Sequence, residues 1–499
     1  MSYELPTGRL ASKTHAGYAH GMPSFFASPK PSLGSVRPKV ANESGVVAAL
    51  MIPSLMVIMT MAMFAVAVPV IRERYNLGAD AASWLLVAYS LPFMLCMPLY
   101  GRLGDAVGRK RLLTFGILFF LAGSLMLAFV QDFRFLLAAR AVQGVGAAGV
   151  NPLSMALILE HVPSKSRGKA LGTWNSVGPV AGILGPPTAG LLIDVVSWRV
   201  ILLPAVVLGI FAVRRVSRGL PDVADRRSAR SFLPRFDWVG VLLFYVAVIS
   251  FVFFTSSRLL TGVAPFRDFR LAAVAALAAL SFVVHEARHS DAFIDLRLFR
   301  NRNFSLASVC VSIRMMMMGG ISFIVPLLLT DLYGYPASAV GLVLTLHAAA
   351  LLITMRLGGV IIDRSGRRTQ IVLGLLIEVS AMIMFLFLPE GGSTWLVLLA
   401  VVIHGLGAGL CLAALHMYAL AAAPQSQAGT AAGLYSMVRF GGSMLGAAIG
   451  GVVLQAGLDA HGVVMRAYGT TFIFYLAAGV IAASLSFGLS PRLPAGGSS

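Results

Sequence analysis

Charge is what this sequence has least of. Only 12% of its 499 residues are Asp, Glu, Lys or Arg, about half the 25% typical of soluble domains. Together with 58% hydrophobic residues, that scarcity excludes a soluble globular protein. Cysteine is nearly absent: Cys96, Cys310 and Cys411 are all there are. Each stands inside an apolar run, so they read as small buried hydrophobes, not as disulfide partners or metal ligands. The first 45 residues are polar and hold five prolines, with no apolar core and no small-residue cleavage site. They read as a disordered arm and not as a signal peptide. The Gly/Ser/Pro-rich residues 491–499 read as a second loose tail.

What is abundant is long apolar stretches. A bilayer core needs about 20 residues of apolar helix, and such stretches lie near 46–71, 80–100, 112–130, 135–159, 169–194, 199–213, 238–256, 271–285, 304–330, 338–361, 370–388, 395–420, 429–456 and 469–490. Fourteen spans are expected. The sixth is short and the eighth short and Ala-rich, which leaves thirteen or twelve open. The net charge of +19 raises nucleic acid as a partner only if the basic residues cluster on one soluble surface. They do not. With the N-terminus inside, segments on the inner side hold 27 Lys and Arg, outer segments hold 8, and four lie within spans. The positive-inside rule then puts both termini in the cytoplasm of a multi-pass protein of the inner (plasma) membrane. Nucleic acid is thereby excluded as a partner, and the bilayer takes its place.

The chain repeats itself. Gln143-Gly144-Val145-Gly146 stands 261 residues before His404-Gly405-Leu406-Gly407, and Pro163, Gly168, Gly172, Gly185 and Gly190 meet Pro424, Gly429, Gly433, Gly446 and Gly451 at the same offset. At an offset of 258, Gly101, Asp105, Gly108 and Arg109 meet Gly359, Asp363, Gly366 and Arg367. Two parallel six-helix units are therefore expected at 46–214 and 304–490. Spans 7 and 8, with the arginine-rich link before them, form an insertion at 215–303. Parallel repeats about an axis along the membrane normal are the architecture of rocking transporters, with the substrate near the midplane between the halves.

Three motifs carry a resemblance. Gly101-Arg102-Leu103-Gly104-Asp105-Ala106-Val107-Gly108-Arg109-Lys110-Arg111 combines glycines for a tight turn, an acid able to bind an arginine or a helix N-terminus, and a basic run suited to lipid headgroups. It resembles the signature loop between helices 2 and 3 of the major facilitator superfamily. Arg140-Ala141-Val142-Gln143-Gly144 resembles that superfamily's helix-4 motif, whose arginine is implicated in proton coupling. Arg140 is also near enough to the outer end to snorkel. Gly178-Pro179, Gly182, Gly185-Pro186 and Gly190 resemble the helix-5 motif of antiporters, where small residues let backbones touch and prolines bend the helix. Ala447 replaces Pro186 in the second copy, so an asymmetric bend is expected. Phe236-Asp237-Trp238-Val239-Gly240 and Ile294-Asp295-Leu296-Arg297-Leu298-Phe299 are similar to flanks of the extra hairpin in the fourteen-helix drug:proton antiporter branch. The resemblance spans about residues 46–490 and implies an all-α major facilitator fold: two parallel six-helix repeats and an inserted two-helix hairpin. One departure stands out: Thr60 occupies the place where that branch usually has a helix-1 acid.

Charged groups inside spans are costly and are functional candidates by default. Arg140, Arg314, Glu378 and Arg439 are charged, and His347 and His404 are titratable. With Thr60 they are the candidates for a substrate or proton path. His404, at the repeat position of Gln143, is read either as a proton carrier or as a hydrogen-bonded histidine. Glu378 is read as part of the path or as a lipid-side residue with a structural bond. Met315–Met318 are read as a soft substrate wall or as packing. Three interior arginines against one acid point to a neutral or anionic amphipathic substrate, met by Arg314 or Arg439.

The expected function is secondary active export of an amphipathic small molecule in exchange for protons, by a monomer. No nucleotide-binding signature is present, so the proton gradient stands in for a cofactor. Import or facilitated passage on the same fold is the alternative. A distant third is an intramembrane metallo-enzyme, supported only by His285-Glu286-Ala287-Arg288-His289, the HExxH string of zinc proteases. No catalytic and no metal residue is expected.

Overall fold

The computed structural model describes residues 43–220, 236–256, 258–289, 293–389, 393–423 and 428–490. Both tails and most of the arginine-rich link lie outside them. Among the described residues there is no strand, and fourteen helices are long and apolar enough to cross a bilayer. They are α1 (Glu43–Arg74), α2 (Ala79–Val107), α3 (Arg109–Phe129), α4 (Phe133–His161), α5 (Arg167–Val195), α6 (Trp198–Gly219), α7 (Trp238–Ser256), α8 (Phe269–Arg288), α9 (Arg302–Tyr333), α10 (Ala337–Ser365), α11 (Arg367–Phe385), α12 (Trp395–Ala422), α13 (Ala428–His461) and α14 (Val464–Ser486). The doubtful sixth and eighth spans are full helices of 22 and 20 residues. They looked weak because they are peripheral: 22% of the apolar window of α8 is buried, against 72% for α9. A helix that need pack on one side only can dilute its sequence with alanine.

We call the end of the bundle that carries the 101–111 turn the basic end, and the opposite one the far end. Two helices break where proline dictates. A proline lacks the N–H that the carbonyl four residues earlier needs. The regular helix of α4 accordingly stops at Ala148, four before Pro152, and that of α5 at Asn175, four before Pro179. The repeat partners α12 and α13 run unbroken over 28 and 34 residues. The expected asymmetry is therefore present. Its hinge, though, is at Pro179, while Pro186 continues inside the helix.

The repeat is exact enough to be read in contacts. A Cβ on Gly116 would come within 2.8 Å of Gly146 O, and one on Gly374 within 2.9 Å of Gly407 O. These are the α3–α4 and α11–α12 crossings at matched positions. Between the halves, Gly190 of α5 lies on Ala337 of α10, and Gly451 of α13 lies on Ala79 of α2. The same pairing extends to helix caps. Asp194 accepts from the Ala337 and Ser338 N–H groups at 3.1 and 2.9 Å, and Gln455 accepts from Ala79 N–H at 2.7 Å. Asp194 and Gln455 are again 261 residues apart. Each half thus caps a helix of the other, at the far end, where Arg72 also meets Asp331 at 2.6 Å.

The basic end differs. Gly433 and Gly451 lie 18 residues apart on one uninterrupted helix, which is five full turns and about 27 Å, so they share a face. Gly451 is packed against α2, whereas a Cβ on Gly433 would meet nothing within 4 Å. Gly172, the match of Gly433, is equally open. The halves touch at the far end and part toward the basic end. The inserted hairpin flanks this cleft: α7 holds α2 through Trp84 Nε1–H to Ser256 O and Tyr245 O–H to Leu95 O at 2.9 Å.

Candidate functional site

The 101–111 turn is built as its residues require. Gly108 adopts φ 101°, a conformation that favours glycine, and ends α2. Arg109 then donates to Asp105 Oδ1 through Nη2 at 2.8 Å and through Nε at 3.1 Å, and its Nη1 reaches Glu160 Oε2 at 3.0 Å. Of the two partners open to it, Asp105 takes the arginine. Glu160, on α4, was missed by sequence reasoning. An acid in a segment otherwise rich in Lys and Arg was its only signal. The turn therefore couples α2, α3 and α4 as a unit. The side chain of the matching Asp363 lies outside the described residues; Arg367 opens α11 after Gly366 at φ 78°.

In the first half, Arg140 is 1% exposed and does not snorkel. Its guanidinium lies 3.9 Å from the Phe64 ring centroid and 4.4 Å from that of Tyr89. Nε donates to Leu85 O at 3.0 Å and Nη1 to Gln143 Oε1 at 2.8 Å, and Gln143 passes the chain to Ser124 at 2.7 Å. Cation–π contact and carbonyls replace a carboxylate around this charge. A Cβ on Gly144 would collide with Tyr89 O, so the glycine of the motif is what admits α2. Thr60 is 2% exposed and donates to Met56 O at 2.7 Å within its own helix. It does not line the cleft.

In the second half, four helices bring their polar groups together. Arg314 of α9 donates from Nε to Glu378 Oε1 of α11 at 3.3 Å, from Nη2 to Ala408 O of α12 at 2.9 Å, and from Nη1 to Met315 Sδ at 3.0 Å. Arg314 and Glu378 are both 0% exposed. Glu378 therefore does not face lipid, and Arg314 is not free to meet a substrate, contrary to the expectation for it. One helical turn from Ala408, His404 Nδ1 lies 2.9 Å from His347 Nε2 of α10, with the two rings stacked. His404 Nε2 and Glu378 Oε2 are buried and have no partner among the described residues. The histidine pair was only half seen in the sequence. His347 stands 258 residues after Tyr89, as His404 stands 261 after Gln143, but Tyr89 and Gln143 are not bonded to each other, so the repeat did not reveal the pairing.

Arg439 of α13 is the third cation. Its guanidinium lies 4.6 Å from the ring centroid of Phe440. Phe440 meets Phe93 of the first half edge-on at 5.0 Å. No carboxylate lies within ion-pair distance of Arg439 among the described residues, and its Nε has no partner. Met315 and Met317 are buried, and Met317 lies against Gly479 of α14. The run packs helices. In the helix-5 motif, a Cβ on Gly178 would meet only Ile58 Cδ1, at 3.9 Å, while Gly185 packs on Met59 and Ala62 of α1, and Pro186 O lies against Gly341 of α10. The motif thus lies between α1 and the second half.

The HExxH string closes α8 at the basic end, where His285 Nε2 is 2.7 Å from Asp237 Oδ1. Burial raises the Asp237 carboxyl, but the Gly240 N–H and the His285 ring more than offset it and hold it below its ordinary value. Glu286 Oε2 accepts from Ile294 N–H, so the would-be catalytic acid serves the backbone.

Comparison with known proteins agrees with this geometry. The family model of the Major Facilitator Superfamily matches residues 50–290 and 307–498. The chain is 31% identical over 396 residues to the multidrug resistance protein Stp of Mycobacterium tuberculosis, covering 79% of this chain and 73% of that one. It is 25% identical to the riboflavin transporter RibZ of Clostridioides difficile, over 75% and 80% of the two chains. Its fold is similar to a crystal structure of a bacterial homolog of the human lysosomal transporter Spinster, inward-facing and unoccupied. There the TM-score is 0.65, at 17% identity, covering 90% and 96% of the chains. These matches are to transporters, and the enzyme alternative falls with them.

The basic-end turn supports a first expected result. Asp105→Asn removes the charged anchor of Arg109 on α2 and leaves that arginine to Glu160 and the Ala156 carbonyl of α4. Transport is expected to fall at least about tenfold with membrane abundance unchanged. Exposed pairs of this kind add little stability, about 0.2–1 kcal/mol, so a loss of abundance comparable to the loss of transport would contradict a conformational role.

Proposed function

The chain belongs to the major facilitator superfamily and is a multi-pass secondary transporter, and from that premise we propose that it exports amphipathic small molecules, neutral or anionic, in exchange for protons. The bias of Lys and Arg supports a cytoplasmic placement of the basic end and of both termini, in the inner (plasma) membrane. On that placement the cleft opens to the cytoplasm, as an exporter must before it loads. The kinship with Stp supports a multidrug-type substrate range. On this reading the chain works as a monomer and uses the proton gradient in place of a cofactor.

The observation that carries the coupling is the set of two neighbouring pairs, His347 with His404 and Arg314 with Glu378, which meet α12 one helical turn apart. It is buried, titratable and shared among α9, α10, α11 and α12. A group that gains or loses a proton here alters the contacts of four helices at once. Arg439 supports the substrate charge. A cation without a counter-ion is costly away from water, and it stands where the two halves meet through Phe93 and Phe440. A ligand carrying a negative or strongly polar group would complete it.

His404→Gln tests the coupling. Glutamine can keep a hydrogen bond to His347 but cannot titrate. In inverted membrane vesicles, proton-driven uptake is expected to fall roughly tenfold or more, with substrate affinity within about twofold. Unchanged pH-dependent transport would defeat the coupling role. Net accumulation by whole cells overexpressing the chain, in place of exclusion, would select the importer instead.

A further inference from the structure

The inserted hairpin ends in a cluster that the proposed transport mechanism does not invoke. Asp237 precedes α7, and His285, Glu286 and His289 close α8. One ligand atom each of Asp237, His285 and His289 lies within 4.8 Å of the others, and the two imidazole centroids are 5.2 Å apart. Asp237 and Glu286 are each 5% exposed. Even so, Asp237 Oδ2 and Glu286 Oε1 are buried and have no partner among the described residues. Both oxygens converge on Gly240, where a Cβ would collide with each. An unpartnered buried acceptor costs about 1–3 kcal/mol, and two carboxylates side by side repel as well. A cation beside them offsets the repulsion and gives the Asp237 carboxylate a further partner.

We propose that Asp237, His285 and His289 form a binding site for a zinc-type divalent transition metal that staples α7 to α8 at the basic end. Two imidazoles and a carboxylate suit zinc, cobalt or nickel, whereas magnesium and calcium prefer oxygen alone. Arms of about 2.1 Å in a tetrahedron put neighbouring ligand atoms about 3.4 Å apart. His285 is on the last turn of α8 and His289 caps it, so on this proposal side-chain rotation brings the two imidazoles together. The fourth position is left to water, with the Glu286 carboxylate balancing the charge. The role is structural and not that of a protease centre, because Glu286 Oε2 is committed to Ile294 N–H.

The test uses the untagged full-length chain in detergent and cobalt as the probe. A visible absorption band of tetrahedral cobalt should rise, saturate near one cobalt per chain and vanish when zinc is added. In the double variant His285→Gln and His289→Gln, residue 285 still offers Asp237 a donor, so the hairpin stays docked. Cobalt affinity should fall roughly a hundredfold or more and the band should be lost. Absence of saturable binding to the unaltered chain would overturn the site, leaving the two carboxyl groups to share a proton. Equal binding by the double variant would place the metal elsewhere and overturn it too. Transport is not a readout, so the outcome is independent of the proposed coupling.

Discussion

Glu378→Gln is expected to reduce proton-driven transport by about two orders of magnitude and to lower the thermal stability of the protein. Both follow from one geometry. Glu378 and Arg314 are each 0% exposed and 3.3 Å apart, and breaking a buried pair by removing one partner costs about 3–5 kcal/mol because a charge is left uncompensated. At 1.4 kcal/mol per tenfold change, that exceeds a hundredfold in any equilibrium the pair sustains. Loss of stability alone could also reduce transport, so a second variant separates the effects. Replacing both residues by apolar ones of similar volume, Arg314→Met with Glu378→Leu, removes the buried charges together and should restore the melting temperature. If the pair belongs to the proton path, this variant stays silent under a pH gradient while still exchanging substrate for substrate. Wild-type proton-driven transport by the restored double variant would remove Glu378 from the coupling machinery.

The second large effect concerns the far end. The first N–H groups of a helix have no partner within it, and here Asp194 and Gln455 supply partners from the opposite half of the molecule. Opening the far end must break both caps. Replacing a capping side chain by alanine costs about 1 kcal/mol, and the two caps are on separate helix pairs, so their losses should add. Asp194→Ala with Gln455→Ala is therefore expected to shift the equilibrium by about 2 kcal/mol, or roughly thirtyfold, toward the state open at the far end. Spin labels at Asn76 and Val463, exposed positions at the far ends of the two halves, would report it as growth of a longer distance. An unchanged distance distribution would show that the caps do not hold the far end shut.

How far each feature was legible depended on how local its cause is. An asymmetric bend was legible from Pro186 against Ala447, but its place was not: the helix breaks ahead of Pro152 and Pro179, whereas Pro186 stays inside it. The turn at Gly108 and its repeat at Gly366 were plain. Glu160 was not, because its value to Arg109 depends on α4 ending beside α3. Arg140 was ambiguous for a similar reason. Distance along the helix left snorkelling open, and only the positions of Phe64 and Tyr89 on two other helices closed it.

The sequence by itself determined the fourteen spans, their two-fold repetition, the inserted hairpin and which end is basic. Span length, glycine spacing and the location of arginine and lysine are one-dimensional quantities, and a bilayer reads them along the chain. The tertiary structure alone decided which charges are paired. Arg314 finds Glu378 across 64 residues, His347 finds His404 across 57, Asp194 caps α10 across 143, and Arg439 is left with an aromatic ring in place of an acid. Those partners depend on how each helix is rotated about its own axis. Hydropathy cannot set that rotation, because nearly every face of these helices is apolar; close packing at small residues sets it, one contact at a time.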